Sequence, residues 1–175
     1  MTSRVTVRPV SADDAHELIA ANLASIALHE PWVSPCRDHT SFLAYLARCD
    51  GEKTVGLIAR ERDSGYIVGV MNISEIVRGL FLNAYLGYYG AAGMNGRGLM
   101  SEAVALAVTY AFDTLGLHRL EANIQPDNLA SRALAERLGF RQEGYSPRYL
   151  KIGGEWRDHE RWAILAEDWK PAQTR

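Results

Sequence analysis

Ala84-Tyr85-Leu86-Gly87-Tyr88-Tyr89, followed after three intervening residues by Gly93-Met94-Asn95-Gly96-Arg97-Gly98-Leu99-Met100, is the stretch from which the rest of this 175-residue chain is read. A hydrophobic run leads into a glycine turn, and the turn opens into a helix. That helix carries Met100, Val104, Ala107, Ala111 and Leu115 on one face and stops at Gly116. The first backbone N–H groups of a helix have no intrahelical partner, and the helix dipole adds partial positive charge there, so such an end collects anions. Gly96 and Gly98 lack a Cβ and let a bulky phosphate approach the backbone. The pattern implies a phosphorylated cofactor.

Spacing narrows which one. The order is G-x-x-G-x-G, the reverse of the dinucleotide fingerprint, and no Gly-Lys-Ser/Thr follows as a P-loop requires. A glycine cluster alone is also compatible with a tight turn and nothing more. A second element downstream adds to it: residues 118–125 read as a strand, followed by Pro126-Asp127-Asn128-Leu129-Ala130-Ser131 and a short helix ending at Leu138-Gly139-Phe140.

The remaining chain alternates elements without a linker. Residues 4–10 read as a strand, and Ser11 as the cap of a helix burying Ala15, Leu18, Ile19, Leu23 and Ile26. A loop with Pro31, Trp32 and Pro35 leads to a helix at 40–49 that buries Phe42, Leu43 and Leu46. Strands are expected at 53–62 and 66–77, joined by the turn Asp63-Ser64-Gly65, and at 80–89; two last strands meet at Gly153-Gly154. The fold class is α+β: a mixed, mostly antiparallel, twisted sheet of about seven strands flanked by four helices. One domain over residues 1–170 and a short tail at 171–175 account for the chain.

Composition adds bounds. Apolar residues make up 47% of the chain, enough for a real core, and the formal net charge is −2, which gives no general basic surface for nucleic acid. No run of about 18 apolar residues exists to span a membrane, and the N-terminus lacks the apolar core of a secretory signal. Cys36 and Cys49 lie 13 residues apart with no metal-type spacing to a histidine. They read as free thiols in a reducing cytoplasm, and no metal site is expected.

Asn95-Gly-Arg-Gly-Leu-Met, Pro126-Asp-Asn-Leu-Ala-Ser, Leu138-Gly-Phe and Glu143-Gly-Tyr resemble the GNAT N-acetyltransferases, which use acetyl-CoA. Val77-Arg-Gly, Tyr85-Leu-Gly-Tyr, His118-Arg and Trp156-Arg-Asp-His extend the similarity to the bacterial ribosomal-protein-alanine N-acetyltransferases within that superfamily. The resemblance implies a GNAT fold. It implies cofactor contacts from Tyr88, Tyr89, Asn95, Gly96, Arg97, Gly98, Leu99, Met100, Asn128 and Ser131, with the Ser131 hydroxyl near the sulfur as a donor to the departing thiolate; for Arg97 an exposed, solvated arginine is the alternative. In the family, a splay between the strands at 85–89 and 118–125 admits the pantetheine arm. On local chemistry alone, Asn128 is equally an N-cap and Ser131 a first-turn residue. Where the wider superfamily has Gln or Arg, this chain has Gly93.

The general base is not evident. Some relatives carry a glutamate near the strand at 145–150, where this chain aligns Arg148; Glu75, Glu102 and Glu121 are the substitutes available. His29, His39 and His159 read as polar surface or loop residues, and Trp32 as a wall of the acceptor cleft. A free α-amino group has a pKa of about 7.7–8.0 against about 10.4 for lysine, so roughly a quarter of α-amines are already neutral at pH 7.4. A chain without an evident base therefore suits a protein N-terminus better than a lysine. The expected acceptor is the N-terminal alanine of a ribosomal protein. A small amine (amino acid, polyamine or antibiotic) is the alternative, and a non-catalytic acyl-CoA sensor a third. Neither cysteine sits in an activating motif, so direct attack without an acyl-enzyme is expected. A homodimer is compatible with the sequence.

Overall fold

The computed structural model describes residues 3–171; all but the first residue of the expected tail lies outside them. Seven strands form one sheet: β1 (Val5–Pro9), β2 (Val55–Glu61), β3 (Ile67–Val77), β4 (Asn83–Gly90), β5 (Arg119–Ile124), β6 (Arg141–Ile152) and β7 (Glu155–Leu165). Their order is β1-β2-β3-β4-β5-β7-β6, and every neighbouring pair is antiparallel except β4 and β5. That parallel pair needs a crossover, which the helix after the glycine loop supplies. The fold is the expected α+β arrangement.

Both faces of the sheet are covered. The central strands therefore read as continuous apolar runs rather than alternating ones, with Leu57, Ile58 and Ala59 all at 0% exposure. On one face pack α4 (Leu99–Thr109) and α5 (Leu129–Arg137); on the other pack α1 (Ala15–Ala24), α2 (Ile26–His29) and α3 (His39–Arg48). The buried side of α4 is Leu99, Ala103, Val104, Ala107 and Val108, the 3.6-residue spacing of an amphipathic helix, and its alanines let it lie close to the sheet. A single π turn at Tyr110–Thr114 extends it, and Gly116, at φ 64°, ends it in the left-handed conformation.

Three expectations needed correction. The single helix predicted after Ser11 is divided at Ser25, so the short α2 follows α1, and the four longer helices α1, α3, α4 and α5 are the four expected. There the serine hydroxyl donates to the Ala21 carbonyl at 2.6 Å and accepts from the Ala92 N–H at 2.8 Å. The break therefore ties the first helical layer to the start of the glycine loop. Leu23 and Leu43, expected in the core, are each 49% exposed because the helices bury a narrower stripe, Leu18 in α1 and Phe42 with Tyr45 in α3. The strand expected from residue 80 starts at Asn83, leaving Leu80 and Phe81 exposed in the preceding turn.

Candidate active site

Strands β4 and β5 pair only through Asn83, Ala84 and Tyr85 against Arg119, Leu120 and Glu121. Beyond that point β4 stays with β3 as far as Gly90, while β5 follows β7 as far as Ile124. The two strands part because each keeps its antiparallel partner. The gap opens a cavity of about 810 Å³ that runs from the glycine loop through the sheet to the loop carrying Trp32. Facing the gap, β4 presents a backbone edge without a strand partner from Leu86 onward, which an extended amide-containing chain can join as a strand would.

At one end of the cavity lies the loop between β4 and α4. Gly93, Gly96 and Gly98 sit at φ 82°, 73° and 76°, and Gly98 is the residue before the first turn of α4. The first backbone bond into the helix runs from the Glu102 N–H to the Gly98 carbonyl, so the donors before it are left for a ligand. A Cβ on Gly96 would meet nothing within 4 Å; it would project into open space where a phosphate could otherwise approach.

Alternation along the strands divides the chemistry between the two faces of the gap. Tyr88 packs with the α4 and α5 core, and its phenol donates to the Ser131 carbonyl at 3.1 Å while accepting from the Ser131 hydroxyl at 2.9 Å. Asn128 is the N-cap of α5, its side-chain oxygen accepting from the Ser131 N–H at 3.1 Å. Burial pushes the Tyr88 phenol up to about 12, with the Ser131 hydroxyl opposing, so it remains protonated near neutrality. Tyr89 points to the opposite face, where the His29 ring stands edge-on to it with centroids 5.0 Å apart.

Of the residues singled out in the sequence, Trp32, Tyr88, Tyr89, Asn95, Gly96, Gly98, Met100, Asn128 and Ser131 all line this cavity. Arg97 and Leu99 do not. The Arg97 guanidinium turns away to pair with Glu61, and Leu99 is fully buried in the core, leaving only its backbone at the loop. The carboxylates considered as a base are committed elsewhere or lie outside the cavity lining. Glu102 binds the Arg4 guanidinium and accepts from the Arg4 N–H at 3.0 Å, Glu121 pairs with Arg119 at 2.8 Å, and Glu75 is exposed. Two histidines read as surface or loop residues are in fact buried in the cavity wall, His29 at 2% and His159 at 3% exposure. A period-2 reading of β7 was the one signal that could have found His159: Trp162 and Ile164 belong to the core face, so His159 faces the other way.

The residues present fit acetyl-CoA. The glycine loop offers donors to phosphate, and the free edge of β4 suits the pantetheine amides. The Asn123 side-chain oxygen, buried at the gap without a partner among the described residues, is an acceptor for an incoming N–H. No group of three potential metal ligands occurs among the described residues, and no helix there is long and apolar enough to cross a membrane.

Known proteins agree with this geometry. Residues 4–141 match the family described as Acetyltransferase (GNAT) domain. The chain is 35% identical, over 98% of its length and 93% of the relative's, to the [ribosomal protein uS5]-alanine N-acetyltransferase of Escherichia coli. It superposes on Mycobacterium smegmatis RimJ in complex with CoA-disulfide with a TM-score of 0.84 and 32% identity, covering 93% of this chain and 82% of that one. The spermidine N(1)-acetyltransferase of Escherichia coli is more distant, at 27% identity over 74% of this chain and 64% of the relative. The chain belongs to the GNAT acetyltransferase family and is an N-acetyltransferase that uses acetyl-CoA.

Proposed function

We propose that the acceptor is the N-terminal α-amino group of a protein, with an alanine-starting ribosomal protein as the leading substrate. The observation that carries this reading is the near full-length 35% identity to the enzyme named for alanine acetylation of ribosomal protein uS5. The cavity supports it. Among the described residues lining it there is no aspartate or glutamate, whereas a polyamine carries several positive charges that a selective site must neutralise. Leu28, Trp32, Val33, Leu150 and Ile152 give the acceptor side an apolar wall suited to a small side chain such as alanine. An acceptor made on the ribosome places the reaction in the cytoplasm.

Acetyl-CoA supplies the activated acyl group. The loop from Asn95 to Met100 holds the phosphates through backbone N–H groups, Tyr88 and Tyr89 flank the arm, and Asn128 fixes the start of α5 so that the Ser131 hydroxyl faces the gap. Ser131 donates a hydrogen bond to the leaving sulfur by turning its one hydroxyl proton away from the Tyr88 phenol, which then rotates to donate to Ser131 Oγ. Transfer is direct: burial pushes the Cys36 and Cys49 thiols up, and neither lines the cavity, so neither provides a thiolate for an acyl-enzyme.

The test is release of CoA thiol with an alanine-starting peptide, the same peptide N-terminally blocked, and spermidine. Turnover with the free alanine terminus alone supports the proposal. Turnover with spermidine and none with the peptide replaces it by a polyamine acceptor.

A further inference from the structure

We infer that His159 is the general base of the transfer, accepting the proton of the attacking amine on Nε2 from the face of the sheet opposite Ser131. This rests on the reading of the cavity as an amine acetylation site, and is independent of which amine is acetylated.

Placement comes first. In β7, Trp162 and Ile164 lie in the core beneath α4 and α5, and Glu160 pairs with Arg132 of α5 at 3.0 Å. His159 therefore faces the other side, the side of Tyr89, His29 and the loop with Trp32. The register carries it to the mouth of the gap, since Glu160 pairs with Ile124 at the last residue of β5. An acid serving the departing sulfur and a base serving the incoming amine are wanted on opposite sides of the reacting carbonyl, and Ser131 and His159 occupy opposite sides of the gap.

Tautomer comes second. The His159 Nδ1 lies 3.0 Å from the Arg157 carbonyl oxygen, and a carbonyl only accepts, so Nδ1 carries the proton and Nε2 is left with its lone pair. His29 has the reverse arrangement. Its Nε2 donates to the Gly90 carbonyl at 2.8 Å, and its remaining nitrogen, Nδ1, is buried out of contact with solvent. His29 is a brace for Tyr89 and the end of β4, while His159 keeps a nitrogen for chemistry.

Charge state comes third. Burial lowers the His159 pKa below its ordinary value, with the Arg157 carbonyl and Asp158 opposing. Tyr149 of β6 has its ring centroid 6.2 Å away, and His29 of α2 lines the same cavity. The adjacent Asp158 carboxylate accepts from the Tyr145 hydroxyl and from the Arg148 N–H at 2.7 Å. Glu121 and Arg161 share the sheet face of His159 by register, Glu121 being paired with Arg119 at 2.8 Å. None supplies a free carboxylate that would hold it as imidazolium. The imidazole is neutral at pH 7 and charges only as pH falls.

The balance is simple. The amine nitrogen bonds to the acetyl carbon as the C–S bond breaks, with its electron pair leaving on sulfur. The N–H proton passes to His159 Nε2 and on to solvent. The sulfur takes one proton through the Ser131 hydroxyl, which takes a proton back from solvent, so the proton released through His159 and the one taken up cancel.

The test uses the full chain and His159→Asn, whose amide retains an N–H toward the Arg157 carbonyl. In ¹⁵N-histidine spectra, the resonances lost in the variant should show a protonated Nδ1, a bare Nε2 and a midpoint below 6.5. A proton on Nε2 would overturn the proposal. In kinetics with the alanine peptide or spermidine, whichever turns over, wild-type kcat should fall at acid pH. In the variant kcat should drop about 100-fold and lose that acid limb, with KM for acetyl-CoA within about threefold. A variant within about threefold of wild-type kcat and showing the same acid limb also overturns it. If neither amine is acetylated, the acceptor assignment fails, and the tautomer still decides the fate of His159.

Discussion

The Ser131 hydroxyl donates to the Tyr88 phenol at 2.9 Å, and that phenol donates back to the Ser131 carbonyl at 3.1 Å. The closed pair fixes a hydroxyl at the edge of the gap between β4 and β5, and Tyr88, held protonated by burial, acts as its brace. Ser131→Ala should lower kcat by about 10²-fold, the scale of losing one donor to a developing charge, with KM for acetyl-CoA little changed. Tyr88→Phe keeps the ring and removes the brace, so a fall of about tenfold is expected. Steady-state kinetics on the two variants checks the order; Ser131→Ala at wild-type rate would remove Ser131 from the chemistry.

Gly96 has φ 73° and open space where a Cβ would stand. Gly96→Val adds a β-branched side chain at the phosphate approach and strains the left-handed backbone by about 1–2 kcal/mol. Calorimetric titration should show acetyl-CoA binding weakened at least about tenfold, while thermal unfolding shifts by only a few degrees.

Much of the site was legible because its chemistry sits in turns whose residue types are dictated locally. Gly96 and Gly98 stand where the backbone must be left-handed, and Asn128 stands where a helix must be capped. What could not be read was direction. Arg97 was expected on the cofactor; the fold brings Glu61 of β2 beside it, a contact 36 residues away in sequence. His29 and His159 looked like surface polar residues because neither lies in an apolar pattern. His29 is buried against Gly90, 61 residues away in sequence, and His159 in the cavity wall, with the Tyr149 ring beside it across the terminal hairpin. The gap itself depends on β5 keeping β7 as its neighbour, a pairing of residues 36 to 46 apart in sequence.

The pairing of Arg97 with Glu61 makes a prediction of its own. Arg97 is half-exposed, so solvent screens the ion pair and its contribution to stability is small. Arg97→Ala should leave KM for acetyl-CoA within about threefold and stability nearly unchanged. A rise of tenfold or more in KM would put the guanidinium back on the cofactor.

Asp14 is 1% exposed and holds Arg8 at 2.6 Å and Arg60 at 3.1 Å, joining β1 and β2 to the start of α1. Burial alone would raise its pKa, but hydrogen bonds from Arg8, the Ser11 N–H and Arg60 bring it down to about 2. A depressed carboxylate stabilises the fold above its unfolded pKa, about 3.8, and loses that contribution as pH falls through its folded pKa. Asp14→Asn should therefore cost about 1–2 kcal/mol at pH 7, allowing for the solvent around both arginines. Urea unfolding should show the difference from wild type constant between about pH 7 and 5 and shrinking below about pH 4.

The acceptor is tested most directly by where the acetyl group lands. A peptide that starts with a free alanine and carries an internal lysine is incubated with the protein and acetyl-CoA, and tandem mass spectrometry locates the modification. A single acetyl group on the alanine α-nitrogen is the predicted result. Acetylation of the lysine, or of spermidine in preference to the peptide when both are present, would contradict it.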